Sequence, residues 1–151
     1  QRFYETPRGP EDPLPYTAEC EPFFTVFVLQ ALDRVGRFDL ALQVIRDRWG
    51  RRMLDRGATS TYEEWGFNGS WRGGQFRGMM RTQSHAWSGA PAEFLITQLL
   101  GLRITQPGAT AYTVDPKKTP FPYTATYPFP DGRSVTATWD GKELQVEERS
   151  F

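Results

Sequence analysis

The chain has 151 residues, 38% of them hydrophobic and 24% charged, a balance that supports a packed core and argues against wholesale disorder, while 14 Gly and 12 Pro require many loops. Lys plus Arg and Asp plus Glu number 18 each, so the formal net charge is zero and nothing marks a surface for nucleic acid. One cysteine, Cys20, and one histidine, His85, exclude an intrachain disulfide, a cysteine-based zinc site and a multi-histidine metal site.

In chain order, Gln1 to Glu21 carries Pro7, Pro10, Pro13 and Pro15 and reads as an extended segment or loop. It has no initiator methionine, no basic n-region and no apolar h-region, so neither a signal peptide nor a membrane span is expected, and the chain reads as beginning mid-protein. From Pro22, which suits a first helical turn, Phe24, Phe27, Val28, Ala31 and Val35 recur at three- and four-residue spacing and predict an amphipathic helix stopped by Gly36. Asp39 is placed to cap a second helix, with Leu40, Ala41, Val44, Ile45 and Trp49 on one face and Gly50 at its end. So short a link between the two requires antiparallel packing.

Between Arg51 and Ser88 the periodicity fades while Gly, Trp, Arg and Asn accumulate, the composition of a site-bearing loop. A third helix is predicted from Ala90 or Pro91 through Phe94, Leu95, Leu99 and Leu100 to Gly101. After it, Ala111–Val114, Tyr123–Phe129, Arg133–Trp139 and Leu144–Glu148 are rich in Thr, Val and aromatics and read as strands. Asp131-Gly132 and Asp140-Gly141 separate the last three, the second as a two-residue hairpin turn with both residues at positive φ, so these strands should form an antiparallel meander. The fold class is thus mainly α followed by β, with residues 1–102 helical and residues 103–151 a small β domain. Three helices and four short strands would have trouble covering one another's apolar faces, which points to further chain in the complete protein.

The densest chemical pattern is Gly57-Ala58-Thr59-Ser60-Thr61-Tyr62-Glu63-Glu64-Trp65, where adjacent carboxylates lie between aromatic rings among hydroxyls. A carboxylate desolvated by such rings becomes a better base, although two solvated glutamates beside a core tryptophan would give the same string. Downstream, Ser84-His85-Ala86-Trp87-Ser88-Gly89 places the single histidine among small residues, where it can bond a sugar hydroxyl, hold a carboxylate or simply brace the loop. A Ser-His-Asp hydrolase built on Ser84 or Ser88 lacks the Gly-x-Ser-x-Gly elbow and an acid evidently placed to orient His85. Asp33 and Asp39 read as helix-surface or capping residues. Gly69, Gly73 and Gly74 lack the context of a phosphate loop, and no cofactor is implied. Aromatic content of 15% with five Trp fits both a sugar-binding surface and an ordinary core.

Several of these motifs, in this order, resemble the late barrel helices of bacterial α-L-rhamnosidases. They are Glu21-Pro22-Phe23-Phe24 leading into Phe27-Val28-Leu29-Gln30-Ala31-Leu32, then Gly36-Arg37-Phe38-Asp39-Leu40-Ala41-Leu42 and Ile45-Arg46-Asp47-Arg48-Trp49-Gly50. Met53-Leu54-Asp55-Arg56-Gly57-Ala58-Thr59, Thr61-Tyr62-Glu63-Glu64-Trp65 and Ser84-His85-Ala86-Trp87-Ser88 continue the likeness, which covers most of residues 20–105. It implies the last helices of a six-hairpin (α/α)6 barrel followed by an antiparallel β-sandwich domain.

The resemblance also implies inverting hydrolysis of terminal α-L-rhamnose by two carboxyl groups, roughly 6.5 to 9.5 Å apart. The family's aromatic-Glu-x-Trp pattern puts the general base on Glu63, with Glu64 as second choice and Tyr62 standing where Trp is commoner. His85 matches the histidine near the rhamnose subsite, and Tyr62, Trp65 and Trp87 match aromatic pocket walls. The implied partners are rhamnose-containing glycosides and the missing amino-terminal part of the same barrel, which would carry the general acid, so the isolated chain is expected not to turn over. Nucleic acid, membrane, metal and cofactor are not implied. The competing readings are a non-catalytic carbohydrate-binding module, a structural domain that hides its open helical face in a dimer, and a six-hairpin glycosidase of other sugar specificity.

Overall fold

The computed structural model describes residues 20–63, 65, 82 and 84–150. Their fold is mixed α and β, with three α-helices and two small antiparallel sheets among the described residues. The chain divides into two compact units, Gln1–Pro91 and Ala92–Phe151. The proline-rich segment before Cys20, together with Glu64, Gly69, Gly73 and Gly74, lies outside the described residues.

In the first unit, α1 (Pro22–Arg34) starts on Pro22, whose missing N–H costs nothing in a first turn. Gly36 ends it at φ 74, with the Arg37 N–H bonded to the Leu32 carbonyl at 2.7 Å. The face it buries differs from the expected one. Pro22, Thr25 and Leu29 are buried, whereas Phe24 (60% exposed), Phe27 (55%) and Val35 point outward, about half a turn round the helix. Two apolar stripes run along α1, and periodicity cannot choose between them. Thr25 is polar yet sits on the buried side, where its hydroxyl is satisfied by the Glu21 carbonyl at 2.9 Å and the Cys20 carbonyl at 3.2 Å.

Helix α2 (Phe38–Ile45) packs on α1 and buries Ala41 and Val44, two members of the predicted face. Asp39 does not cap it. The helix begins two residues earlier than that cap would require, with Arg37 at the cap position, and the Asp39 carboxylate is occupied by Arg37 through two bonds of 3.0 Å. Nor does Gly50 end it, because a π-helical turn over Arg46–Gly50 carries the helical path onward. Gly57, at φ 83 after a 3₁₀ turn over Leu54–Arg56, supplies the left-handed stop.

The third helical stretch comprises a 3₁₀ turn over Ala86–Gly89, then α3 (Ala90–Phe94), then a π-helical turn over Leu95–Leu99. Gly101, at φ 68, terminates it, and a Cβ there would lie 2.0 Å from the Asp115 carbonyl oxygen, so only glycine fits. The compact units part before this stretch ends because Ile96, Leu100 and Leu102 pack into the core of the second unit with Phe129, Val135 and Ala137.

That core lies on one face of an antiparallel meander, β3 (Tyr123–Pro128), β4 (Ser134–Trp139) and β5 (Leu144–Arg149), as the strand pattern predicts. Burial alternates along β4, with Val135, Ala137 and Trp139 inward, opposite Tyr127, Ala125 and Tyr123 of β3. On the other face Thr126 and Thr136 share a 2.9 Å hydrogen bond. A two-residue ribbon pairs β1 (Arg103–Ile104) with β2 (Tyr112–Thr113), and β1 is too short to show any alternation in sequence.

The β4–β5 connection also departs from expectation. Trp139 pairs with Leu144, leaving four residues in the loop, and only Gly141, at φ 97, has positive φ. Asp140 stays in ordinary backbone because its carboxylate accepts the Lys142 and Glu143 N–H groups, each at 2.7 Å. Those two bonds stabilise an Asp-centred turn in place of the tight hairpin. They also hold the carboxyl of Asp140 below the usual range.

Candidate functional site around Glu63 and His85

Two loop segments of the first unit run side by side without forming a regular sheet. The Glu63 N–H bonds the Thr82 carbonyl at 3.0 Å, and the His85 N–H bonds the Thr61 carbonyl at 2.9 Å. Side chains reinforce both links, since the Thr61 hydroxyl donates to the His85 carbonyl at 3.0 Å and the Thr82 N–H donates to Glu63 Oε2 at 3.1 Å. This clamp brings Glu63 Oε2 to 3.9 Å from His85 Nδ1. That separation exceeds hydrogen-bond reach but suits an ion pair once the imidazole is protonated. Both side chains are partly buried, at 22% and 24% exposure, so their charges are less screened than on an open surface.

An acid is thus placed beside His85 after all, and it is the glutamate of the upstream loop. The serine arrangement gains nothing from this. Ser88 is fully buried, its hydroxyl finds no hydrogen-bond partner among the described residues, and its carbonyl accepts the Trp49 indole N–H at 2.7 Å.

Aromatic rings extend the site in one direction. The His85 and Trp87 rings lie 4.1 Å apart between centroids, and Trp87 meets Phe23 at 5.1 Å with the ring planes inclined by 34°. Trp87 is 49% exposed, Phe23 is exposed beside it, and Phe24 is exposed against Phe23 at 5.2 Å. Phe23 did not stand out in the sequence as a site residue. Its signal is its place in Glu21-Pro22-Phe23-Phe24, at the start of α1 and on the opposite side from Leu29.

The other two aromatic candidates sit behind this surface. Trp65 is 2% exposed, and its indole N–H donates to the Cys20 carbonyl at 2.6 Å while its backbone N–H donates to Glu21 Oε2 at 3.2 Å. Trp49 meets it edge-on at 4.8 Å, and the Arg52 guanidinium lies 5.9 Å from its ring centre. Tyr62 is buried as well. Glu63 and His85, with Trp87 against the imidazole, are therefore brought together at one surface, while Tyr62 and Trp65 are buried.

A carboxylate and an imidazole this close can accept from and donate to neighbouring hydroxyls, while the Trp87 and Phe23 rings offer apolar faces for C–H groups. Polyhydroxylated rings present both kinds of surface. Among the described residues no three His, Cys, Asp or Glu side chains converge as metal ligands would, and no helix is long and apolar enough to cross a membrane. Compared with known proteins, the chain matches no family model, and no curated protein matches it.

Proposed function

We propose that the first unit contributes one side of the active site of an inverting α-L-rhamnosidase, as part of a longer protein. The carrying observation is the Glu63 carboxylate held 3.9 Å from His85 Nδ1, beside the half-exposed ring of Trp87. In this reading Glu63 takes a proton from a water whose oxygen attacks the anomeric carbon of a terminal rhamnose. The bond to the glycosidic oxygen breaks, and a second carboxylic acid from elsewhere in the barrel protonates that oxygen. His85 and Trp87 bind the sugar through a hydroxyl and a ring face, and Tyr62 and Trp65 back the pocket wall.

The finer architecture belongs to the same proposal. The helices would be late members of an (α/α)6 barrel and the meander part of a β-sandwich domain. The exposed stripe of Phe24, Phe27 and Val35 supports the first point, because a helix apolar on two sides is one that other helices cover in a two-layer barrel. The exposed Trp87 and Phe23 rings also suit a non-catalytic sugar-binding module. Replacing Glu63 by Gln in the full-length product of the natural gene separates the two. Loss of rhamnoside hydrolysis with sugar affinity retained supports the enzyme, and affinity with no hydrolysis before or after the change supports the module.

A further inference from the structure

We infer that Thr61 is a positioning residue that sets the approach of His85 to Glu63. Its hydroxyl donates to the His85 carbonyl at 3.0 Å while its own carbonyl accepts the His85 N–H at 2.9 Å. Two opposed bonds fix both the distance of the His85 backbone and its rotation about the loop axis, whereas a single N–H···O bond fixes the distance alone. Glu63, two residues along, is held to Thr82 by a matching pair, backbone N–H to carbonyl at 3.0 Å and Oε2 to the Thr82 N–H at 3.1 Å.

Each charged group therefore inherits its place from a threonine on the facing segment. Among the described residues of these two segments, 61–63, 82 and 84–85, none lies in a helix or strand that would supply that rigidity. A Val at position 61 would keep the β-branched shape and the carbonyl, and would remove only the hydroxyl bond. A Ser would keep the hydroxyl. The functional weight of this role rests on the glycosidase reading, but the pairing itself does not, so it is tested without any sugar.

His85 is the only histidine in the chain, and its imidazole Cε1–H gives one resolved NMR resonance. The shift of that resonance caused by Glu63→Gln at fixed pH measures how closely the two groups are coupled. In the Thr61→Val background this response falls by about half or more, and in Thr61→Ser it returns towards the parent value. An equal response in all three backgrounds would overturn the inference. Should Thr61→Val not fold, amide exchange in the unsubstituted protein decides. The His85 N–H is expected to exchange at least about tenfold slower than in an unstructured peptide, and exchange at the peptide rate contradicts the clamp. Absence of rhamnosidase activity would sink the function proposed above while leaving these results intact.

Discussion

Glu63 and His85 meet at 3.9 Å, although neither belongs to a helix or a strand. Their meeting depends on a scaffold that lies elsewhere. The His85 segment is tied down where the Trp49 indole N–H bonds the Ser88 carbonyl, and the Glu63 segment where Trp65 bonds Cys20. The two tryptophans contact each other edge to face at 4.8 Å, so one buried aromatic pair anchors both halves of the site.

That arrangement separates structural from ligand-facing tryptophans. Trp65→Phe removes both the indole donor to the partly buried Cys20 carbonyl and part of a fully buried ring, and is expected to cost about 1 to 3 kcal/mol of stability. Trp87→Ala removes a half-exposed ring and is expected to cost about 1 kcal/mol or less. Urea unfolding of the chain followed by circular dichroism gives both values, and the reverse order would disprove the division of roles.

The two stripes of α1 make a second contrast. Leu29 is fully buried, so Leu29→Ala is expected to destabilise by about 2 to 5 kcal/mol. Phe24, on the opposite side, is expected to tolerate Ser within roughly 0.5 kcal/mol while the variant's tendency to self-associate falls. Unfolding and light scattering on the same samples check both statements.

Gly101 allows no substitution. Its positive φ alone costs an L residue roughly 1 to 2 kcal/mol. An added methyl group would also collide with the Asp115 backbone, so Gly101→Ala is expected to lose at least that much. A melting temperature equal to that of the parent would refute the tight approach.

Asp140 carries a pH signature. Its carboxyl is held low by the Glu143 and Lys142 N–H groups, so its contribution is fully present above the unfolded-state value of about 3.9 and fades as pH falls through its lower folded-state value. Asp140→Ala should therefore lower the melting temperature at pH 7 and have a much smaller effect in strong acid. A cost independent of pH would mean that the two backbone bonds are not what the residue supplies. Asp131 is held low by Arg133 and titrates in the same acid range, so the comparison is made against the parent at each pH.

Local chemistry was legible in the sequence where one residue type has one use. Pro22 starts α1, Gly36 and Gly101 end helices, and the Thr- and Val-rich runs became β3, β4 and β5. What failed were choices between equivalents. On α1 the period was right and the buried side wrong, because the helix carries two apolar stripes and the buried one includes a polar residue, Thr25, whose hydroxyl is satisfied within the first turn. Asp39 was read as a cap and Asp140-Gly141 as a two-residue turn at positive φ, but the partners their carboxylates take, Arg37 and the Lys142 and Glu143 amides, appear only in three dimensions. At the site, the Glu63-Glu64 pair and His85 stood out from local composition, while the choice of Glu63 and the role of Trp87 came from the family resemblance. The clamp that unites them joins residues far apart in the chain and leaves no periodic trace, and Phe23 escaped notice because one of several phenylalanines in a helix looks like core.

The central claim is tested most directly by incubating the full-length gene product with an aryl α-L-rhamnoside and watching the first sugar released by NMR. β-L-Rhamnose is expected as the initial anomer, with a rate reduced about 10²- to 10⁴-fold by Glu63→Gln in a protein that remains folded. Undiminished hydrolysis in the folded variant would contradict the role of Glu63. Release of the α-anomer first, or no release of rhamnose at all, would contradict the proposed chemistry.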